Sequence, residues 1–271
     1  MESTSSHNIV RCKSGNTLIA ETQMLISEEP LSIRVENTPY AVVMRTPGDE
    51  RFLAAGFCLA EGLVDRVEDF AAIGYCEQMD PNVIAVTLTP QRREKVSDLL
   101  ARRGYISQTS CGICGKELVK DLIQNMVPST DTTRIDLAAL LERINDDRMQ
   151  DYQDLYRKTN SAHGAVLFSR DLAVMGLGED VGRHNALDKA IGQALLENRL
   201  PQTVAAVLSS RVSYELVQKC ARAGIGTIVS MSRPTALAVD LGGRMNMTLA
   251  CISKEGDLLI FSGRERLVES G

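Results

Sequence analysis

VAAVLSSRVSYELVQKCARAGIGTIVSM, residues 204–231, decides the fold. Val204–Leu208 is a short continuous apolar run, the pattern of a strand buried on both faces. Ser213–Ala223 follows with helical periodicity and is closed by Gly224, and Thr227–Met231 is a second buried strand. Downstream the alternation continues with a helix over Thr235–Arg244 and a strand over Met247–Ile252. The turn Lys254-Glu255-Gly256-Asp257 leads into a strand at Leu258–Phe261. Upstream, Ala165–Phe168 and Leu172–Met175 form a hairpin about Ser169-Arg170-Asp171. Gly178-Glu179-Asp180-Val181-Gly182 reads as a tight loop, and Arg183–Glu197 as a helix. Strands alternating with helices predict an α/β sheet with right-handed crossovers.

The first half is less regular. Residues 1–26 read as a polar tail with short strands such as Thr17–Ala20. Ile33–Val35 and Tyr40–Met44 form a hairpin about Glu36-Asn37-Thr38-Pro39, and Thr46-Pro47-Gly48-Asp49 starts a helix over Glu50–Leu63. Asn82–Leu88 alternates like a strand, Pro90 stops it, and Glu94–Arg103 is a helix closed by Gly104. Ser107–Gly115 is polar, glycine-rich and without period, and reads as an exposed, mobile loop. Glu117–Asn125 is a short helix, and a longer one opens at Leu137–Ile144 and runs to about Tyr156. The expected organisation is a small α+β domain over 1–105, a flexible loop and helical connector over 106–160, and an α/β domain over 161–271.

Composition narrows the function. Aromatic residues are 4% of the chain and Trp is absent, so a mostly aliphatic core is expected, and the scarcity argues against a stacking platform for single-stranded nucleic acid. The net charge of −5 disfavours a general nucleic-acid or anionic-membrane binder. That charge is uneven: residues 1–150 hold 16 Lys and Arg against 22 Asp and Glu, residues 151–271 hold 14 against 13. The second half is the easier host for an anion. No apolar run approaches the roughly 20 residues that span a bilayer. Met1–Val10 lacks the order of a signal peptide, so a cytoplasmic protein is expected.

Ligands of open α/β sheets bind at the carboxyl ends of the strands. Three turns there each carry an arginine and open a helix: Gly178–His184 with Arg183, Ser209-Ser210-Arg211, and Ser232-Arg233-Pro234-Thr235. Free N–H groups at helix starts favour anions. The reading is a nucleotide or phosphate cleft; the plain alternative is ordinary capping. His184 and Asp188 lie i, i+4 on one helix face, as a ligand or acid/base pair or as a histidine satisfied by its own helix.

Seven cysteines are present. Cys12, Cys58, Cys76, Cys220 and Cys251 are scattered singly and read as small buried hydrophobes in a reducing compartment. Cys111-Gly112-Ile113-Cys114 is the exception. A closed zinc site needs four ligands, and no second Cys-x-x-Cys exists. A thioredoxin-like dithiol follows a strand and opens a helix, whereas here a polar loop precedes the pair. Zinc deaminases use His-x-Glu, but His163-Gly164-Ala165 has Ala165 in place of the glutamate, so no metal site is expected. What remains is an exposed nucleophilic thiol or a harmless loop pair. An accessible thiolate near Lys116 and Lys120, able to accept and pass on sulfur, suits the composition.

Taken together, Ser110-Cys111-Gly112-Ile113-Cys114-Gly115, the run Gly178-Glu179-Asp180-Val181-Gly182-Arg183-His184-Asn185-Ala186-Leu187-Asp188-Lys189, and the run Ser209-Ser210-Arg211-Val212-Ser213-Tyr214-Glu215-Leu216-Val217-Gln218-Lys219 resemble the FdhD family. These are the sulfur carriers required for formate dehydrogenase activity. The resemblance covers about Glu29 to Phe261 and implies a cytidine-deaminase-like α/β fold that has lost its zinc chemistry.

It further implies that a cysteine desulfurase loads a persulfide onto Cys111, with Cys114 assisting. The sulfur passes to a molybdenum or tungsten bis-molybdopterin guanine dinucleotide cofactor, which then enters formate dehydrogenase. The family's cofactor-binding segment matches Ile252-Ser253-Lys254-Glu255-Gly256-Asp257. Arg183, His184, Ser210, Arg211 and Arg233 agree with a guanine dinucleotide cleft. A homodimer is implied as well. Other classes of reading are a cofactor-binding chaperone without thiol chemistry and a dithiol redox switch.

Overall fold

The computed structural model describes residues 2–75, 80–102, 126–144 and 146–268. The Cys111–Cys114 loop, Cys76 and the helix expected over Glu117–Asn125 lie outside the described residues.

The expected polar tail is instead a ribbon of β1 (Thr4–Lys13) and β2 (Thr17–Ile26), paired antiparallel over ten residues. The ribbon is exposed on both faces, so no apolar alternation marks it. Cross-strand polar pairs hold it, Thr22 to Asn8 and Arg11 to Glu21. Next come β3 (Glu29–Val35) and β4 (Thr38–Arg45), joined at Glu36 and Asn37, whose φ values of 51° and 63° make a two-residue hairpin turn. The helix α1 (Glu50–Ala60) ends before Gly62, where φ is 78°. Then follow β5 (Phe70–Tyr75) and β6 (Val83–Leu88), completing a four-stranded sheet in the order β4-β3-β6-β5. Pro90 starts a helix rather than only ending the strand. The Thr89 hydroxyl accepts the Arg92 amide and caps α2 (Pro90–Lys95), which is followed by α3 (Ser97–Arg102).

After β7 (Ile135–Asp136), the single helix expected from Leu137 to Tyr156 is three: α4 (Leu137–Ile144), α5 (Asp146–Asp151) and α6 (Asp154–Thr159). Tight bonds from the Tyr152 and Gln153 amides back to Met149 and Gln150 close α5 before α6 opens. The strands β8 (His163–Ser169) and β9 (Val174–Asp180) are longer than expected, and Gly178-Glu179-Asp180 belong to β9, not to a loop. These precede α7 (Arg183–Leu196), β10 (Thr203–Leu208), α8 (Tyr214–Arg222), β11 (Thr227–Ser230), α9 (Ala236–Arg244), β12 (Thr248–Ile252), β13 (Leu258–Ser262) and β14 (Leu267–Val268). The second sheet has the order β13-β12-β11-β10-β8-β9, with β10, β11 and β12 parallel as their helical connections require.

Both faces of this sheet are covered, which is why Val204–Leu208 in β10 reads as an unbroken apolar run. On one face Ala205, Val207 and Val229 pack with Ile135, Leu140 and Ile144. On the other, Leu208, Ile228 and Leu249 join Leu187, Ile191 and Leu216, and that core continues through Leu53 and Phe57 to Leu31, Ile33 and Ile84. One core therefore unites residues of the first and second halves.

The junction is a glycine contact. A Cβ on Gly56 of α1 would stand 2.0 Å from the Asp188 carbonyl oxygen, and one on Gly192 of α7 would stand 1.8 Å from that of Phe52. On its other side α7 rests on β9, where a Cβ on Gly178 would meet the Ala186 oxygen at 2.1 Å. The sequence glycine read as loop-forming is needed for close helix–strand approach. Of the single cysteines, Cys58, Cys220 and Cys251 are buried as expected, but Cys12 is exposed on the ribbon.

Candidate functional site

Strand directions gather the residues expected for the nucleotide cleft, whereas Cys111 and Cys114 lie outside the described residues. Because β10, β11 and β12 are parallel and β8 runs against β10, one edge of the sheet collects the ends of β9, β10, β11 and β12 and the start of β8. Across that edge lie, in order, the turn at Ser253–Asp257, Arg233, Ser210 and Arg211, His163, and Arg183 with His184. At about 4.8 Å per strand, the row from β12 to β9 is roughly 19 Å long. Arg211 and Arg233 are exposed, and Arg183 and His184 are half-buried.

At the β9 end, the Nε of Arg183 is buried with no hydrogen-bond partner. His163 is half-buried, and burial first, then the Arg183 guanidinium, hold its imidazole below the usual pKa. His184 does not pair with Asp188. Its Nε2 lies 2.9 Å from Glu215 Oε2 and 3.4 Å from the Ser213 hydroxyl, both at the start of α8. The His184 bond is the main cause that depresses the Glu215 pKa. Asp188 is instead bound by Lys219 Nζ at 2.8 Å, and its burial raises its pKa in spite of that cation. The histidine is thus satisfied from a neighbouring helix rather than its own.

In the middle of the edge, the Ser209 hydroxyl accepts the Gly164 amide at 2.9 Å and ties β10 to β8. Ser210 is buried and donates to the Arg211 carbonyl at 3.1 Å, which braces the loop that carries Arg211. At the β12 end, Ser253 organises its own turn. Its hydroxyl accepts the Glu255 and Asp257 amides, and its carbonyl accepts the Gly256 amide. Those three amides are engaged within the turn. Ile252 is half-buried, while Lys254, Glu255, Gly256 and Asp257 are exposed. The Ser253 hydrogen bond first, with the Arg233 charge a lesser cause, holds the Glu255 pKa down.

Much of the run from Gly178 to Lys189 does structural work. Asp180 Oδ2 accepts the Thr46 amide, Oδ1 accepts from Gly182 and Asn185, and Lys189 Nζ closes the cluster at 2.8 Å. A cavity of about 300 Å³ opens at the opposite edge, between Pro128–Asp131 and Gly224, Ile225 and Met245. It holds none of the expected residues. The arginines lie instead along the carboxyl edge.

The FdhD/NarQ family model matches residues 26–268 of this chain. The chain belongs to that family. Among curated relatives, the sulfur carrier protein FdhD of Streptomyces coelicolor is 34% identical over 273 residues, covering 97% of this chain and 95% of the relative. That of Mycobacterium tuberculosis is 35% identical, covering 97% and 98%. A solved structure from Desulfotalea psychrophila, described as a formate dehydrogenase accessory protein, superposes with a TM-score of 0.77 at 24% identity, covering 98% of this chain and all of that one. That likeness establishes a shared mixed α/β fold.

Within this FdhD/NarQ chain, three contributors to the edge were missed in the sequence. Glu215 and Ser213 hold His184, and Thr46 anchors Asp180 and Val181. Glu215 sits in a quoted motif, but only the folded chain brings it to His184. No helix of the described residues is long and apolar enough to cross a membrane.

Proposed function

We propose that this chain is a cytoplasmic sulfur carrier that serves formate dehydrogenase. A cysteine desulfurase places a persulfide on Cys111. The thiol of Cys114 then attacks the Cys111 sulfur, forming a disulfide and releasing the outer sulfur as hydrosulfide, so the two thiols supply the two electrons. The acceptor is a molybdenum or tungsten cofactor with two guanine dinucleotide arms, held as substrate and passed on to the dehydrogenase. The carboxyl edge of the six-stranded sheet holds the nucleotide arms on a fold of cytidine-deaminase type. Arg183, Arg211 and Arg233 bind phosphates, with His184, Ser210 and the segment Ile252–Asp257 beside them.

The observation that carries this reading is the gathering of three arginines, from turns far apart in sequence, along one sheet edge of an acidic protein. Charge-assisted contacts to phosphate are the strong ones, and helix starts add to them. The names of the relatives support the sulfur-transfer part.

The test is intact-mass and peptide mass spectrometry after incubation with a cysteine desulfurase and cysteine. One added sulfur on Cys111 is expected, with Cys111→Ala unable to activate formate dehydrogenase while still binding GDP. Sulfur on Cys114 alone, with Cys111→Ala fully active, would reverse the roles. No added sulfur on either would leave a passive cofactor-binding chaperone, and a reversible Cys111–Cys114 disulfide as the only thiol chemistry would leave a redox switch.

A further inference from the structure

His163 has no place in the nucleotide-binding set just described, yet it begins β8, next to β9 on the edge, opposite Asp180 in the strand register. Its neighbour Gly164 is fastened to Ser209 in both directions, the amide to the hydroxyl and the carbonyl from the Ser209 amide. The strand start is therefore fixed. Residues Ala165 and Leu167, two and four further on, point into the core that holds α7, and His163 shares their face. Among the described residues its ring makes no hydrogen bond, and Arg183, three residues beyond its strand partner Asp180, has a buried Nε without a partner.

The charges around His163 are few. Arg183 and His184 oppose a positive imidazole. Asp180 favours one, but its two oxygens are already committed to Lys189, Thr46, Gly182 and Asn185. Glu215 is held by His184. The half-buried imidazole at the start of β8 and the unpartnered Arg183 Nε at the start of α7 thus stand at the same end of the edge, Arg183 three residues beyond the strand partner of His163.

We infer that His163 and Arg183 together grip one phosphate of the nucleotide, and that His163 takes up a proton when that phosphate arrives. This inference rests on the nucleotide reading of the carboxyl edge and assigns it a proton-coupled subsite. In the free protein the Arg183 charge favours neutral imidazole. A phosphate between the two neutralises that repulsion and accepts a hydrogen bond from each ring or guanidinium N–H, so the imidazolium becomes the better partner. The proton comes from solvent and returns to it on release.

The test is titration calorimetry of the full chain with GDP in buffers of different ionisation enthalpy, between about pH 6 and about pH 8. The expected result is a fractional proton taken up per GDP near the lower end, and affinity roughly tenfold higher there than at the upper end. Guanosine, which lacks phosphate, takes up no proton. In His163→Gln, whose folding is checked by thermal melting, both the uptake and the pH dependence disappear. GDP binding by the parent protein without proton uptake at any pH overturns the inference and leaves the nucleotide reading intact, as does uptake that persists in His163→Gln. An absence of any GDP binding overturns both.

Discussion

Lys189 Nζ lies 2.8 Å from Asp180 Oδ2, and both side chains are all but fully buried. The ammonium also donates to the Thr46 and Glu179 carbonyls, while Asp180 accepts the Thr46 amide. The ion pair therefore fastens the residue after β4 to β9 and to α7, the helix that carries Arg183 and His184. Removing one partner from such a pair leaves a buried charge uncompensated.

Lys189→Met is expected to cost about 3–5 kcal/mol of stability. Urea unfolding followed by circular dichroism measures this. A loss below about 1 kcal/mol would mean that Asp180 finds other partners at little cost. Replacing Asp180 as well, in Lys189→Met with Asp180→Leu, should recover part of the loss because no lone charge then remains.

The glycine contact makes a second expectation. At Gly192 an added methyl has no free direction, because the atom in its way is the Phe52 backbone oxygen and not a movable side chain. Gly192→Ala should force α1 and α7 apart and destabilise the chain by roughly 1–3 kcal/mol or more. Gly243→Ala, where nothing lies within 4 Å, is the control and should change stability little. Equal melting temperatures for the two variants would contradict the packing described.

At the carboxyl edge, Arg183→Ala, Arg211→Ala and Arg233→Ala should each weaken GDP binding, by about tenfold or more where the lost contact is charge-assisted. The exposed Arg211 and Arg233 should lose affinity without losing stability, since their heads lie in water. Calorimetry decides this, and unchanged GDP affinity in all three variants would move the nucleotide elsewhere.

His163 also makes stability depend on pH. Its folded pKa is depressed, so between the unfolded value of about 6.5 and the lower folded value the unfolded chain binds more protons. Its contribution is fully present above about pH 6.5 and is lost as pH falls through the folded pKa. His163→Gln should flatten that part of the stability profile, and denaturant midpoints across the acid range would show it. An unchanged slope would assign the acid sensitivity to other groups.

The strands and helices of the second half were legible because their signals are local. Val204–Leu208 is apolar throughout and Thr227–Ser230 is buried throughout since both faces are covered, and Thr235 caps α9 from the adjacent residue. The ribbon of residues 4–26 was not legible, since a sheet with two wet faces carries no apolar alternation. Pro90 was misread because its place at a helix start depends on the Thr89 cap and not on the proline alone.

The sequence by itself determined that an α/β sheet occupies the second half, that three arginines stand at the starts of its helices, and which family the motifs resemble. Only the tertiary structure decided what most of those motif residues do. Asp180 and Lys189 find Thr46 more than 130 residues away, and Gly178 makes room for backbone rather than for a ligand. His184 turns from Asp188 to Glu215, 31 residues on. The physical reason is that burial and long-range pairing give a charge or a glycine its role. A buried aspartate and an exposed one are written with the same letter.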